Sequence, residues 1–107
     1  MKLKDATVVY HRNLYTEAIE KAVNQVYGEY GLNPVCTSGN DSKHGKNSYH
    51  YQDRALDIRF WDILGVVAAK LKKVLPPYYD VVVEMDHIHI EADKVKEEAW
   101  IKNSSNT

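Results

Sequence analysis

Long apolar runs, paired cysteines and a surplus of charge are all missing from this chain of 107 residues. A lone cysteine, Cys36, cannot close an intramolecular disulfide. It lies between Val35 and Thr37 in a β-prone stretch, where a buried, inert thiol is expected. No segment approaches the ~18 consecutive apolar residues of a membrane span, so no membrane partner is expected. The opening Met1-Lys-Leu-Lys-Asp5 is not followed by the ~7–15-residue apolar core of a secretory leader, which predicts a cytoplasmic protein as synthesised. Fourteen basic residues against fifteen acidic ones leave a formal charge of −1. Without a basic field to hold a phosphate backbone, nucleic acid is not the expected partner.

What is present is an ordinary globular composition, 44% hydrophobic, in a length that fits one domain spanning residues 1–107. Leu14, Ala18, Ile19, Ala22, Val23, Val26, Tyr27 and Tyr30 recur at three- and four-residue steps, which predicts an amphipathic helix over 14–30. Asn13 is its expected N-cap, and Gly31 with Asn33-Pro34 its stop. A short strand follows over 32–37. The stretch 38–47, rich in Gly, Asn, Asp and Ser, reads as a loop, and long loops in small domains are often functional.

Residues 55–60 alternate as a strand does. Asp62 then caps a second helix with Ile63, Val66, Val67, Lys70, Leu71 and Val74 along one face, ended by Pro76-Pro77. Residues 79–84 and 87–91 read either as two strands joined by a tight turn near Met85-Asp86 or as one bulged strand. A short helix is expected over 94–101, with a frayed tail over 103–107. The order predicts a small α+β domain, an antiparallel sheet flanked by helices.

Two stretches concentrate three of the five histidines together with several carboxylates: residues 48–57 and residues 84–91. On a strand, His87, His89 and Glu91 share one face while Ile88 and Ile90 point to the other. Two isoleucines in the core would leave two histidines in a cleft. His50 and Asp57 are seven residues apart, a spacing that lets a loop and the following strand converge on one ion, and Ala55 is small enough for close packing. Imidazole and carboxylate are the donors of a catalytic zinc site, which uses three protein ligands and leaves one position for water. Zinc lowers the pKa of that water from about 15.7 toward about 7 and polarises a substrate carbonyl.

At these residues the chain resembles a known family. Ser48-x-His50-x-x-Asp53-x-Ala55-x-Asp57 is similar to the S-x-H-x-x-G-x-A-x-D signature of the zinc D-Ala-D-Ala carboxypeptidases and L-Ala-D-Glu endopeptidases, whose fold is shared with the hedgehog signalling domain. Thr37-Ser38-Gly39 resembles the segment leading into that loop, and Asp86-His87-Ile88-His89 resembles the second metal motif. Asp53 departs from the pattern, standing where the family has glycine.

The resemblance implies a hedgehog-type fold with His50, Asp57 and His89 binding zinc. It also implies a carboxylate that takes the proton of the attacking water and returns it to the leaving amine. Asp86, three residues before His89, is the first candidate for this base and Glu84 the rival. His87 would hydrogen-bond the oxyanion. Arg54 or Arg59 would pair with a peptide carboxylate, Ser48 would support the loop or touch substrate, and Lys43 and His44 could line the cleft. Tyr49, Tyr51, Tyr78 and Tyr79 would wall the cleft or pack in the core, and His11 reads as a surface histidine.

The implied function is hydrolysis of a peptide bond in the peptidoglycan stem by a compact, phage-like, monomeric endolysin type of enzyme, reaching the cell wall after release or within a phage particle. Two other readings compete with it. One is a non-catalytic metal-binding or interaction domain on the same fold. The other is a single-strand nicking endonuclease of the histidine-hydrophobic-histidine kind, with Tyr27 or Tyr30 as nucleophile. That last reading leaves the His50 to Asp57 motif unexplained.

Overall fold

The computed structural model describes residues 1–40, 53–59 and 64–105. Its elements are β1 (Lys2–Leu3), α1 (Leu14–Gly28), β2 (Val35–Ser38), β3 (Ala55–Arg59), α2 (Leu64–Val74), β4 (Tyr79–Val83), β5 (His87–Ala92) and α3 (Lys94–Ser105). They form one small α+β domain with a five-stranded sheet in the order β1-β2-β3-β5-β4.

The first helix begins where its cap dictates. Asn13 Oδ1 accepts from the backbone N–H groups of Tyr15 and Thr16, and Thr16 Oγ1 accepts from that of Asn13. Such a reciprocal box contributes about 1 kcal/mol by satisfying donors that the helix itself leaves orphaned. Gly31 takes the left-handed conformation, φ +68°, just past the helix end, and the Leu32 N–H turns back onto the Tyr27 carbonyl at 3.0 Å. Ile19, Ala22, Val23, Val26 and Tyr27 are buried. Leu14, the first residue of the expected stripe, is exposed because the stripe reaches the core only from the second turn.

The core lies between α1, α2 and one face of the sheet. That face is built by Leu56 and Ile58 of β3, Ile88 and Ile90 of β5, and Val81 of β4, with Cys36 buried beside them. Ile88 and Ile90 are wholly shielded from solvent, which stabilises the fold by about 1.5–3 kcal/mol each. The α2 face is turned relative to the expected one. Val67, Ala68 and Leu71 are buried, whereas Val66 and Val74 are exposed. Asp62 and Ile63 lie outside the described residues.

Two expectations are corrected and one open alternative is decided. The sheet is mixed, because β1 pairs parallel to β2 while the other pairs are antiparallel. Two residues, Lys2 and Leu3, carry no readable alternation, so this strand gives no local signal. The last helix runs to Ser105, so residues 103–105 are helical rather than frayed. The residues over 79–92 resolve into two strands, antiparallel and in register from Tyr79 opposite Ala92 to Val83 opposite Ile88.

Hydroxyl groups tie the layers together. Tyr27 Oη donates to the Arg59 carbonyl at 3.1 Å, fixing α1 to the end of β3, and burial pushes this phenol up to about 12. Tyr79 Oη donates to the Tyr15 carbonyl at 2.8 Å, and burial raises its pKa too.

Candidate metal centre

Strand alternation sorts β5 into two sets. Ile88, Ile90 and Ala92 enter the core, while His87, His89 and Glu91 stand half-buried on the opposite face. The register with β3 sets Asp57 across from His89, Arg59 across from His87 and Ala55 across from Glu91. Directly opposed residues on one face have Cβ atoms about 5 Å apart, close enough for polar side chains to meet. A bulge in β2 between Cys36 and Ser38 brings Ser38 alongside Asp57 on its other flank.

The side chains do meet. His89 Nδ1 stands 2.9 Å from Asp57 Oδ1, and His89 Nε2 stands 2.9 Å from Glu91 Oε1. His87 Nε2 lies 3.8 Å from the same Asp57 oxygen and 3.6 Å from Glu84 Oε2. Its other nitrogen, Nδ1, lies 2.7 Å from Asp86 Oδ1. Two imidazoles therefore face four carboxylates. Burial disfavours a proton on His89, but the hydrogen bonds and charges of Asp57 and Glu91 outweigh it and raise its pKa above the ordinary histidine value. Hydrogen bonding to His87 holds the Asp86 carboxyl below its usual range.

Two of these donors, Asp57 and His89, are of the types that zinc takes, although among the described residues only Asp80, Glu91 and Asp93 bring three donor atoms within 4.8 Å of one another. Ligand atoms about 2.0–2.1 Å from a tetrahedral ion are about 3.3 Å apart, and the Asp57 oxygen lies 2.9 and 3.8 Å from the two imidazole nitrogens that face it. Asp57 and His89 are thus brought together. Ser48 and His50 lie outside the described residues, as do Lys43, His44, Tyr49 and Tyr51. No protein-family model matches this sequence, and no curated protein does either.

Asp53, the departure from the family pattern, occupies the left-handed region with φ +52°. This is the backbone that a glycine would serve, and aspartate is among the residues that tolerate it. Its carboxylate does not point along the β5 histidines. Oδ1 accepts from Asn40 Nδ2 at 3.0 Å and lies 3.0 Å from His11 Nδ1, while the Asp53 carbonyl accepts from Asn13 Nδ2 at 2.7 Å. His11, exposed as expected, thus has a partner that the sequence did not reveal. Gly39 is required at the same junction, since a Cβ there would meet the Val9 carbonyl oxygen at 2.1 Å.

Arg54, expected to pair with a peptide carboxylate, stands on the face of the sheet opposite Asp57 and His89. It shares strand parity with Leu56 and Ile58, so it leaves the sheet on the core side. Nε donates to the Ala92 carbonyl at 2.8 Å, Nη2 donates to Glu97 Oε1 at 2.9 Å, and the guanidinium lies over the Tyr15 ring at 3.9 Å. Arg59 shares the parity of Asp57. Tyr79 belongs to the core, and Tyr78 stacks on it with Trp100 at its edge. Tyr27 is buried in the core and Tyr30 packs against it, on the side of the sheet away from His87 and His89, which removes the geometric basis of the nicking reading.

Sequence reasoning assigned no role to Glu91, although its place two residues beyond His89 on a strand is the signal that sets it on the same face. Asp80, across from Glu91 on β4, was also missed. Asp80, Glu91 and Asp93 bring three carboxylate oxygens within 4.8 Å of one another and could hold a metal ion. Oxygen-only donors suit a hard cation such as calcium or magnesium better than zinc. No helix among the described residues is long and apolar enough to cross a membrane.

Proposed function

We propose that this chain is a zinc peptidase of the D-Ala-D-Ala carboxypeptidase and L-Ala-D-Glu endopeptidase type, on a hedgehog-type fold, cutting a peptide bond in the peptidoglycan stem. The observation that carries the reading is the in-register apposition of Asp57 and His89, with His87 beside them. His50, Asp57 and His89 would hold the zinc. When bound, it supplies the Lewis acidity that makes water a nucleophile at neutral pH and polarises the scissile carbonyl.

The protein's own groups divide the remaining work. Glu84 approaches His87 through Nε2, the nitrogen that also faces Asp57, whereas Asp86 contacts Nδ1 on the other edge of the ring. Asp86 is also 87% exposed, against 47% for Glu84. These placements favour Glu84 as the base that takes a proton from the attacking water and delivers it to the amine as the C–N bond breaks. Asp86 then orients the His87 ring by accepting from Nδ1–H. In its imidazolium form, with Nδ1–H on Asp86, His87 would donate from Nε2 to the oxygen of the tetrahedral intermediate, where a fixed donor acts most strongly. Arg59, on the same face beside His87, would receive a carboxylate of the peptide, and Ser48 would support the loop that carries His50.

The test is hydrolysis of synthetic stem peptides by the zinc-reconstituted protein, with products resolved by mass spectrometry. Cleavage that falls about 10²–10⁴-fold in Glu84→Gln with zinc retained supports the assignment. Cleavage unchanged in Glu84→Gln and lost in Asp86→Asn would return the base role to Asp86. A second reading, a cation-binding domain without catalysis, draws on the acidic group Asp80, Glu91 and Asp93. Calcium uptake without any peptide cleavage would favour it.

A further inference from the structure

Glu91 takes no part in the proposed chemistry, yet it is the third residue of the β5 face that bears His87 and His89. Its Oε1 stands 2.9 Å from His89 Nε2, the nitrogen turned away from Asp57. A neutral imidazole has one nitrogen with a proton and one with a free lone pair, and the partner of the first decides which the second is. A carboxylate can only accept, so without a metal Asp57 and Glu91 each draw a proton to the nitrogen they face. A zinc ion held with Asp57 would take the place of the Nδ1 proton, and Glu91 would keep the one on Nε2.

We infer that Glu91 is the positioning residue of this centre, fixing His89 as the Nε2–H tautomer and holding its ring so that Nδ1 binds zinc. The inference rests on the zinc reading above and adds to it a residue that touches neither metal nor substrate.

The surroundings of Glu91 suit the task. On one side it faces Ala55, whose small side chain leaves the carboxylate room. On the other it faces Asp80, whose carboxylate is ion-paired with Lys96 of α3. The Lys96 N–H in turn donates to Asp93 Oδ1 at 2.9 Å. The acidic group is thereby tied to a cation from the helix, and Glu91 is left to serve the imidazole. Outer partners of metal-binding histidines act in this way by setting tautomer and ring orientation, and their loss weakens metal binding about 10–100-fold.

The experiment is zinc affinity by competition with a chromophoric chelator for the wild-type protein, Glu91→Ala, Glu91→Gln and Asp80→Asn, with ¹⁵N spectra of the zinc-loaded wild type. Glu91→Ala should bind zinc about 10–100-fold more weakly. Glu91→Gln retains an acceptor oxygen and Asp80→Asn removes an equal charge nearby, so both should stay within about fivefold of wild type, short of the loss in Glu91→Ala. The spectra should place the proton of His89 on Nε2. Glu91→Ala binding zinc as tightly as wild type, Asp80→Asn losing as much as Glu91→Ala, or a proton on Nδ1 would each overturn the inference while zinc binding by the wild type stands. A wild type that takes up no zinc would instead overturn the underlying zinc reading and this inference with it.

Discussion

Arg54 and Asp57 are three residues apart, and each forms a 2.9 Å contact with an oppositely chargeable partner, yet the two pairs do different things. Odd spacing on an extended chain sends them to opposite sides of the sheet. Around Arg54 the account balances: one guanidinium, one carboxylate, the Ala92 carbonyl, and the Tyr15 ring whose own hydroxyl donates to Glu97 at 2.8 Å. Around His89 the count is lopsided, with Asp57, Glu84, Asp86 and Glu91 against two imidazoles and Arg59 across from His87. A saturated pair holds a fold together, and a cluster with surplus negative charge attracts a cation.

The contrast is sharpest in substitutions that separate stability from metal binding. His89→Ala should reduce zinc affinity by more than about 100-fold, beyond what an outer partner costs. Arg54→Met should behave in the opposite sense. It strands Glu97 in a largely buried position and should cost about 3 kcal/mol in urea unfolding, with zinc stoichiometry unchanged in the folded fraction. A large loss of zinc in Arg54→Met would show that the two faces are not independent.

Acid sharpens the comparison in a different way. Burial would raise the Glu97 pKa, but the hydrogen bonds from Arg54 and Tyr15 outweigh it, so the folded value is lowered. A lowered carboxylate contributes its stability above the unfolded pKa, about 4.3, and loses it as the pH falls through the folded value. The advantage of wild type over Glu97→Gln should therefore be full at neutral pH and fade below about pH 4 in urea titrations. An advantage that persisted to lower pH unchanged would mean that the pair does not depend on the charge of Glu97.

The smallest effect concerns Asp53. Asp53→Gly relieves a left-handed φ worth about 1 kcal/mol and gives up hydrogen bonds of similar size, so thermal unfolding should be nearly unchanged. Asp53→Ala loses the hydrogen bonds and keeps the strain, and should cost about 1 kcal/mol. Equal midpoints for the two variants would contradict this account of the turn.

Local pattern was enough to read the elements that carry their own punctuation. Asn13, Gly31 and Pro76-Pro77 mark helix ends through backbone chemistry that needs no distant partner. The alternation of His87 to Glu91 settles which side chains share a face. The apposition of Asp57 and His89 depended on a register that no local pattern contains, and the resemblance supplied the expectation of it. The role of Arg54 was hidden because its partner Glu97 lies 43 residues away on a helix whose docking cannot be read from either segment. The parallel pairing of β1 was hidden for the same reason, since it is made wholly by contacts with β2. The turn at Asp53 shows the reverse: an aspartate in the left-handed backbone that a glycine would serve.

The central claim is that the His89 cluster exists to hold zinc, and elemental analysis of the purified protein beside Asp57→Ala tests it most directly. The account predicts about one zinc per chain, bound through a carboxylate and imidazoles, and none in the variant. A wild type that stays free of zinc after reconstitution, or an Asp57→Ala protein that keeps its zinc, would contradict it.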